Sequence, residues 1–193
     1  MKNTLVGRIL LCMSILSAVG LTGCGAGDNV QAQSTPSTLA TKDLSAFVDT
    51  YWYVPTEYLL AYSYSGSANP KVSAVNDQTI WHITSANGGY LQGCSFASTN
   101  NGASWSAATI IGSVTANNSV SLGFYGNSLT VGSGQLTTSS GQPAFLMQMS
   151  TGNGIGGLTH WAYMLPITSF SSAWSSLPGT AGVSVPTATA SGC

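Results

Sequence analysis

From Tyr51 onward, short apolar runs alternate with polar positions and are punctuated by Gly, Asn and Ser. Tyr51-Trp52-Tyr53-Val54 is aromatic and β-branched, and Pro55, which cannot donate to a ladder, stops it. Residues 79–84 run on to Asn87-Gly88-Gly89, and residues 90–97 to Thr99-Asn100-Asn101-Gly102. Further runs cover 109–115, 120–125, 129–137, 144–149 and 158–167, with turn formers between them. In three runs the period of two is plain. Val120, Leu122 and Phe124 share a face, as do Phe145, Met147 and Met149, and as do Trp161, Tyr163 and Leu165.

The spacing predicts eight antiparallel strands joined by hairpins. The stretch 56–77 is ambiguous, since Tyr58–Tyr64 fits a strand or a helical turn. Ahead of the first strand, Leu44, Phe47 and Val48 fall at i, i+3 and i+4 behind an N-cap at Thr41, which predicts a short amphipathic turn. Residues 171–178 predict one helical turn, with Trp174 packed on the outside or end of the sheet. The fold class expected is all-β, an antiparallel up-and-down barrel of about eight strands, with a small β-sandwich as the alternative. Closure is favoured because it removes sheet edges that so few lysines could guard. The pattern does not say which face of each strand points inward.

Lys2 and Arg8 bracket a basic start, and residues 9–21 are almost entirely apolar. As a helix this segment rises only about 20 Å, short of a hydrocarbon core of roughly 30 Å. It reads as the apolar part of an export signal. The segment ends in Leu21-Thr22-Gly23-Cys24, which resembles the lipobox of bacterial lipoproteins. The resemblance implies cleavage before Cys24 and acylation of that cysteine. With Gly25 and not aspartate behind it, it also implies sorting to the outer membrane, with the leaflet left open. The plainer alternative is an ordinary signal cleaved near Ala32. The domain reading is a leader at 1–23, a lipidated flexible tether at 24–41 and a single barrel domain at 42–193.

Composition narrows the function classes. Charged residues make up 5% of the chain and hydrophobic ones 44%, which excludes a charge-rich disordered polymer. A net charge of −1 gives no basic footprint for nucleic acid. Of the cysteines at 12, 24, 94 and 193, the first leaves with the leader and the second takes lipid. Cys94 and Cys193 remain, and an oxidising compartment favours their pairing as a disulfide. The alternative is a buried Cys94 and a free Cys193. No His or Cys lies at a ligand spacing from either, so no metal is expected, and no cofactor is implied.

The meander over 51–167, with its aromatic opening strand and frequent turn glycines, resembles in pattern the calycin barrels, the avidins and lipocalins. That resemblance implies an up-and-down barrel and carries over no ligand residue. Ser98-Thr-Asn100-Asn-Gly102-Ala-Ser104-Trp105 resembles the Asp-box hairpin of sialidases, with Asn100 in place of the aspartate. A single copy implies a hairpin there and no glycosidase. Gly152-Asn-Gly154-Ile-Gly156-Gly157 matches G-x-G-x-x-G, but a β-run follows where a helix and an acid are needed, so it reads as a loop.

Beyond Asp77 the chain has no Asp, Glu, Lys or Arg, which leaves general acid–base work to His82 and His160. No G-x-S-x-G elbow is present. The expected function is therefore non-catalytic. A hydrolase would require His82 or His160 to meet Asp77 or Glu57 in one cleft. The bland reading makes both histidines ordinary sheet residues. The sharper one has Trp81, His82, Gln148, His160, Trp161 and Tyr163 line a neutral pocket or groove for an uncharged or apolar small ligand. A structural or adhesive surface protein is the alternative: a filled barrel would pack Phe124, Phe145, Met147 and Trp161 into its centre and act through its loops. The expected partners are the membrane, through the lipid on Cys24, and a small neutral ligand, with the oligomeric state open.

Overall fold

The computed structural model describes residues 42–55, 58–66, 69–152, 155–180 and 184–185. The expected leader, Cys24, the tether, Glu57 and Cys193 lie outside them. Ten strands form one antiparallel sheet: β1 Thr50–Tyr53, β2 Tyr58–Ser65, β3 Lys71–Asn76, β4 Gln78–Asn87, β5 Tyr90–Ser98, β6 Ser106–Val114, β7 Ser119–Tyr125, β8 Leu129–Ser139, β9 Gln142–Gly152 and β10 Gly156–Ile167. The order runs β1-β4-β5-β6-β7-β8-β9-β10, and β1 pairs with β10 to close an eight-stranded barrel. Each predicted run is one of these eight strands, and the sandwich alternative does not hold.

The ambiguous stretch 56–77 folds as β2 and β3, a hairpin outside the barrel. Pro55 and the brevity of β1 explain it. β1 has four residues and covers only Leu165–Ile167 of the twelve-residue β10. The edge of β10 from Gly156 to His160 is left free for β2.

Trp52, Trp81, Phe145, Met147 and Met164 fill the barrel interior and are fully buried. Phe145 meets Trp52 edge-on at 4.6 Å, and Phe47 lies against both rings at 5.2 and 5.9 Å. The faces of Val120-Leu122-Phe124 and Phe145-Met147-Met149 point inward. In β10 the inward residues are Ala162 and Met164, so Trp161, Tyr163 and Leu165 face out, and Trp161 does not belong to the filled centre. The reason is volume: an eight-stranded barrel just accommodates its side chains, and two tryptophans and two phenylalanines already occupy it. Gly134 on β8 reflects the same crowding, since a Cβ there would lie 2.0 Å from the Leu146 carbonyl oxygen and 2.8 Å from Met147 Sδ.

The turn ahead of β1 is a 3-10 segment, Ser45–Phe47. Asp43 accepts from the Ser45 amide at 2.9 Å, and Thr41, the expected N-cap, lies outside the described residues. Leu44 and Phe47 join the core while Val48 is exposed. Helix α1, Phe170–Ser176, packs outside the barrel on β1 and β4, capped by Ser169 Oγ, which accepts from Ser172 N at 3.1 Å. Trp174 is buried against Trp105 at 4.4 Å between ring centres, on the outside of the sheet as its sequence position suggested.

The β5–β6 connection is the expected hairpin. Ser98 Oγ accepts from the amides of Asn100 and Gly102, and Asn100 Oδ1 accepts from Ser104 N. Gln78 secures the turn through two bonds to Asn101. Of the glycine-rich stretch expected as a loop, Gly152 ends β9 while Gly156 and Gly157 open β10, and residues 153–154 lie outside the described ones.

Candidate functional site

The residues expected to line one site fall into four places. Trp81 lies inside the barrel, 1% exposed, with ring centres 5.3 Å from Phe124 and 5.8 Å from Phe145. It is core and cannot meet a ligand on the surface, a correction to the shared groove expected of it. Its indole N–H is enclosed without an acceptor, which costs about 1–3 kcal/mol that the ring's packing must offset.

His82, next to it in β4, points outward. Its ring stacks on Tyr51 at 4.2 Å with an interplanar angle of 7°, and Nε2 stands 3.7 Å from Asp49 Oδ1. Partial burial holds the imidazole below its ordinary pKa, and the Asp49 carboxylate opposes that shift. Cys94 is the cross-strand neighbour of His82 and is 2% exposed.

His160 sits opposite Met149 of β9 and Ala61 of β2, with Nδ1 3.2 Å from the Trp161 carbonyl oxygen. It stands within electrostatic reach of Asp77, which links the β3 and β4 strands and is 8% exposed. Burial pushes the Asp77 carboxyl above its usual range, while a donated Thr79 hydroxyl bond and His160 pull it down. The structure thus brings one histidine within electrostatic reach of Asp77 and gives the other to Asp49. The hydroxyl nearest the Asp77 carboxylate, that of Thr79, is engaged with it as a donor. Among the described residues, no three His, Cys, Asp or Glu side chains gather as a metal site.

Gln148, Trp161 and Tyr163 come together on the outer wall. Trp161 pairs directly with Gln148, which pairs with Ser133 on its other side, and Tyr163 pairs with Leu146. Cβ atoms directly opposite on one face lie about 5 Å apart, so Trp161, 58% exposed, is the cross-strand neighbour of Gln148 on the outer wall. Gln148 in turn lines a trough of about 500 Å³ along β6 to β9. Its lining mixes Ser and Gly (Gly112, Ser121, Gly123, Ser133, Ser150) with the aliphatic Ile111, Leu122 and Val131 and with Tyr90 and Tyr125. A second trough of about 490 Å³, walled by Tyr62 and Tyr64, shares Val131 and Ser150 with the first.

Two wall tyrosines are held over glycines. A Cβ at Gly123 would meet the Tyr125 ring at 2.9 Å, and one at Gly157 would meet the Tyr64 ring at 2.7 Å. An aromatic ring leaning across a sheet glycine stabilises the strand, and it also fixes the ring in place. Tyr62, Tyr64, Tyr90 and Tyr125 were not among the expected site residues. Their alternation with Ala, Ser and Gly was visible, but it reads the same whether a ring points in or out. Comparison with models of protein families, with curated proteins and with solved structures returned no match to this chain.

Proposed function

We propose that the protein is a lipid-anchored module of a bacterial envelope whose barrel holds an uncharged, polyhydroxylated ligand, a neutral glycan, against its outer wall. The observation that carries this reading is the trough lined by Gln148, Tyr90 and Tyr125 together with Ser, Gly and aliphatic side chains and no charged one, beside the strand pair that sets the exposed Trp161 opposite Gln148. Aromatic faces stack on the C–H faces of a sugar ring, and an amide with neighbouring hydroxyls answers its hydroxyls. The packed interior supports placing the ligand outside, where a carrier of the avidin or lipocalin type would hold it inside. The Leu21-Thr22-Gly23-Cys24 motif supports the lipid anchor, and a Cys94–Cys193 disulfide fits an exported chain.

Titration of the protein with neutral oligosaccharides, followed by tryptophan emission, tests the reading, because Trp161 is the exposed reporter among rings that include the buried Trp52, Trp81 and Trp174. A saturable change that disappears in Trp161→Phe supports it. A flat response across glucan, mannan and chitin oligomers overturns it. That outcome favours the second reading, a filled structural or adhesive barrel acting through its loops, which the same packed interior supports.

A further inference from the structure

The strand register sets six outward side chains in one row across the outer wall. Tyr90 of β5 pairs with Ser113 of β6, and Ser113 with Ser121 of β7. Ser121 pairs with Ser133 of β8, Ser133 with Gln148 of β9, and Gln148 with Trp161 of β10. Directly opposite residues of antiparallel strands share a face, so the six form a lane across the strands, polar in its middle and aromatic at both ends. The first five line the single trough of about 500 Å³, so the wall is hollow here where a barrel is otherwise convex. Beside the lane, the inward row runs Gly112, Leu122 and Gly132. A Cβ at Gly112 would stand 2.3 Å from Leu122 Cδ2, and one at Gly132 would stand 2.8 Å from Met149 Sδ. These two glycines let the backbone of β6 and β8 come down onto the core.

We infer that the trough takes a linear glycan lying across the strands and recognises its internal sugars, not a single sugar or a chain end. This rests on the glycan reading above and adds the shape of the ligand. Its direction follows from what flanks the lane. Two residues along, β6 presents Ile111, β8 Val131 and β9 Leu146, all of them exposed. A chain running with a strand would set its hydroxyls on these aliphatic side chains. A chain running across meets a hydroxyl or an amide on each strand from β6 to β9, where its own hydroxyls find partners. Its length follows from the strand spacing. Tyr90 and Trp161 stand five strand steps apart, about 24 Å along the wall, which exceeds a disaccharide and suits about five sugars. Both ends of the lane are open, with Tyr90 68% and Trp161 58% exposed, so a longer chain can run on past either ring.

The test is calorimetric titration of the exported full-chain protein with gluco-, manno- and chito-oligosaccharides, each from the monosaccharide to the octasaccharide. In the series that binds, affinity is expected to climb with chain length and to level off near the pentasaccharide. Two variants place the chain on the lane. Ser121→Val with Ser133→Val fills its middle, and because both serines are exposed the melting temperature is expected to stay where it is. The longer chains should then bind no better than the short ones. Tyr90→Ala removes one end ring and is expected to weaken the pentasaccharide about tenfold and to shorten the length at which affinity levels off. Affinity that is constant from the monosaccharide upward overturns the inference and leaves the glycan reading standing, because a single sugar or a chain end is then what binds. Length dependence that persists unchanged in both folded variants also overturns it, since the chain then lies elsewhere. No binding by any chain of the three series overturns the glycan reading itself, and this inference with it.

Discussion

Two carboxylate–histidine neighbourhoods make opposite contributions to the pH dependence of stability. His82 is held below its ordinary pKa by burial, so between its folded value and about 6.5 the unfolded chain binds more protons than the folded one. Its contribution to stability is present above pH 6.5 and is lost as pH falls through the folded value. Asp77 is held above its ordinary 3.8, so the folded chain binds more protons in the window above that value. Stability from Asp77 is complete below about 3.8 and falls as pH rises through the folded value. Asp77→Asn is therefore expected to raise the melting temperature at pH 7, since the amide oxygen still accepts from Thr79 and no charge is buried. His82→Gln is expected to flatten the decline between pH 7 and 5. Thermal melts of the two variants across pH 4–8 check both signs, and a lower melting temperature for Asp77→Asn at pH 7 would show that His160 outweighs burial. On the outer wall, Trp161→Ala is expected to weaken glycan binding about tenfold, roughly 1.4 kcal/mol, without lowering the melting temperature, because its ring is largely in solvent. Calorimetric titration beside a melt separates the two.

At the scale of strands, what could be read in advance was where they run and which residues share a face. Turn residues bounded each barrel strand, and the period of two grouped Val120 with Phe124 and Trp161 with Tyr163. The direction of each face was not legible, because it depends on how much volume eight strands can enclose once Trp52, Trp81 and Phe145 are inside. That single unknown divided the expected site: Trp81 went to the core, while Gln148, Trp161 and Tyr163 stayed together on the wall. The β2–β3 hairpin was hidden for a related reason. Its partner is the surplus length of β10, a relation between segments about a hundred residues apart that no local pattern records. Crowding also predicts a stability effect. Gly134→Ala places a methyl against the Leu146 carbonyl oxygen, which is backbone and cannot swing aside. The expected loss is about 1–3 kcal/mol, typical of overpacking, read as a lower urea midpoint at unchanged slope. Gly141→Ala makes the contrast, because nothing lies near its Cβ position and only its positive φ of 80° resists the substitution.

For the molecule as a whole, charged residues make up only 5% of the chain, so packing carries what ion pairs cannot. Cys94 lies on the outer side of β5 beside His82, in the neighbourhood that Phe170 covers by packing on both Tyr51 and Phe96. A bond from there to Cys193 would tether the chain's end to the middle of the barrel and close a loop of about 100 residues. The chain-entropy relation gives such a loop about 4.7 kcal/mol, less any strain in the native state. Cys94→Ser is therefore expected to lower the melting temperature of the exported protein markedly. Reductant should lower the wild-type value by a similar amount and leave the variant where it is. The double comparison separates a cross-link from packing: a serine at this buried position loses some contact energy whether or not sulfur was bonded, but only a disulfide makes the wild type sensitive to reductant. An identical wild-type melt with and without reductant, under conditions that reduce an accessible disulfide, would assign Cys94 to the core and leave Cys193 unpaired.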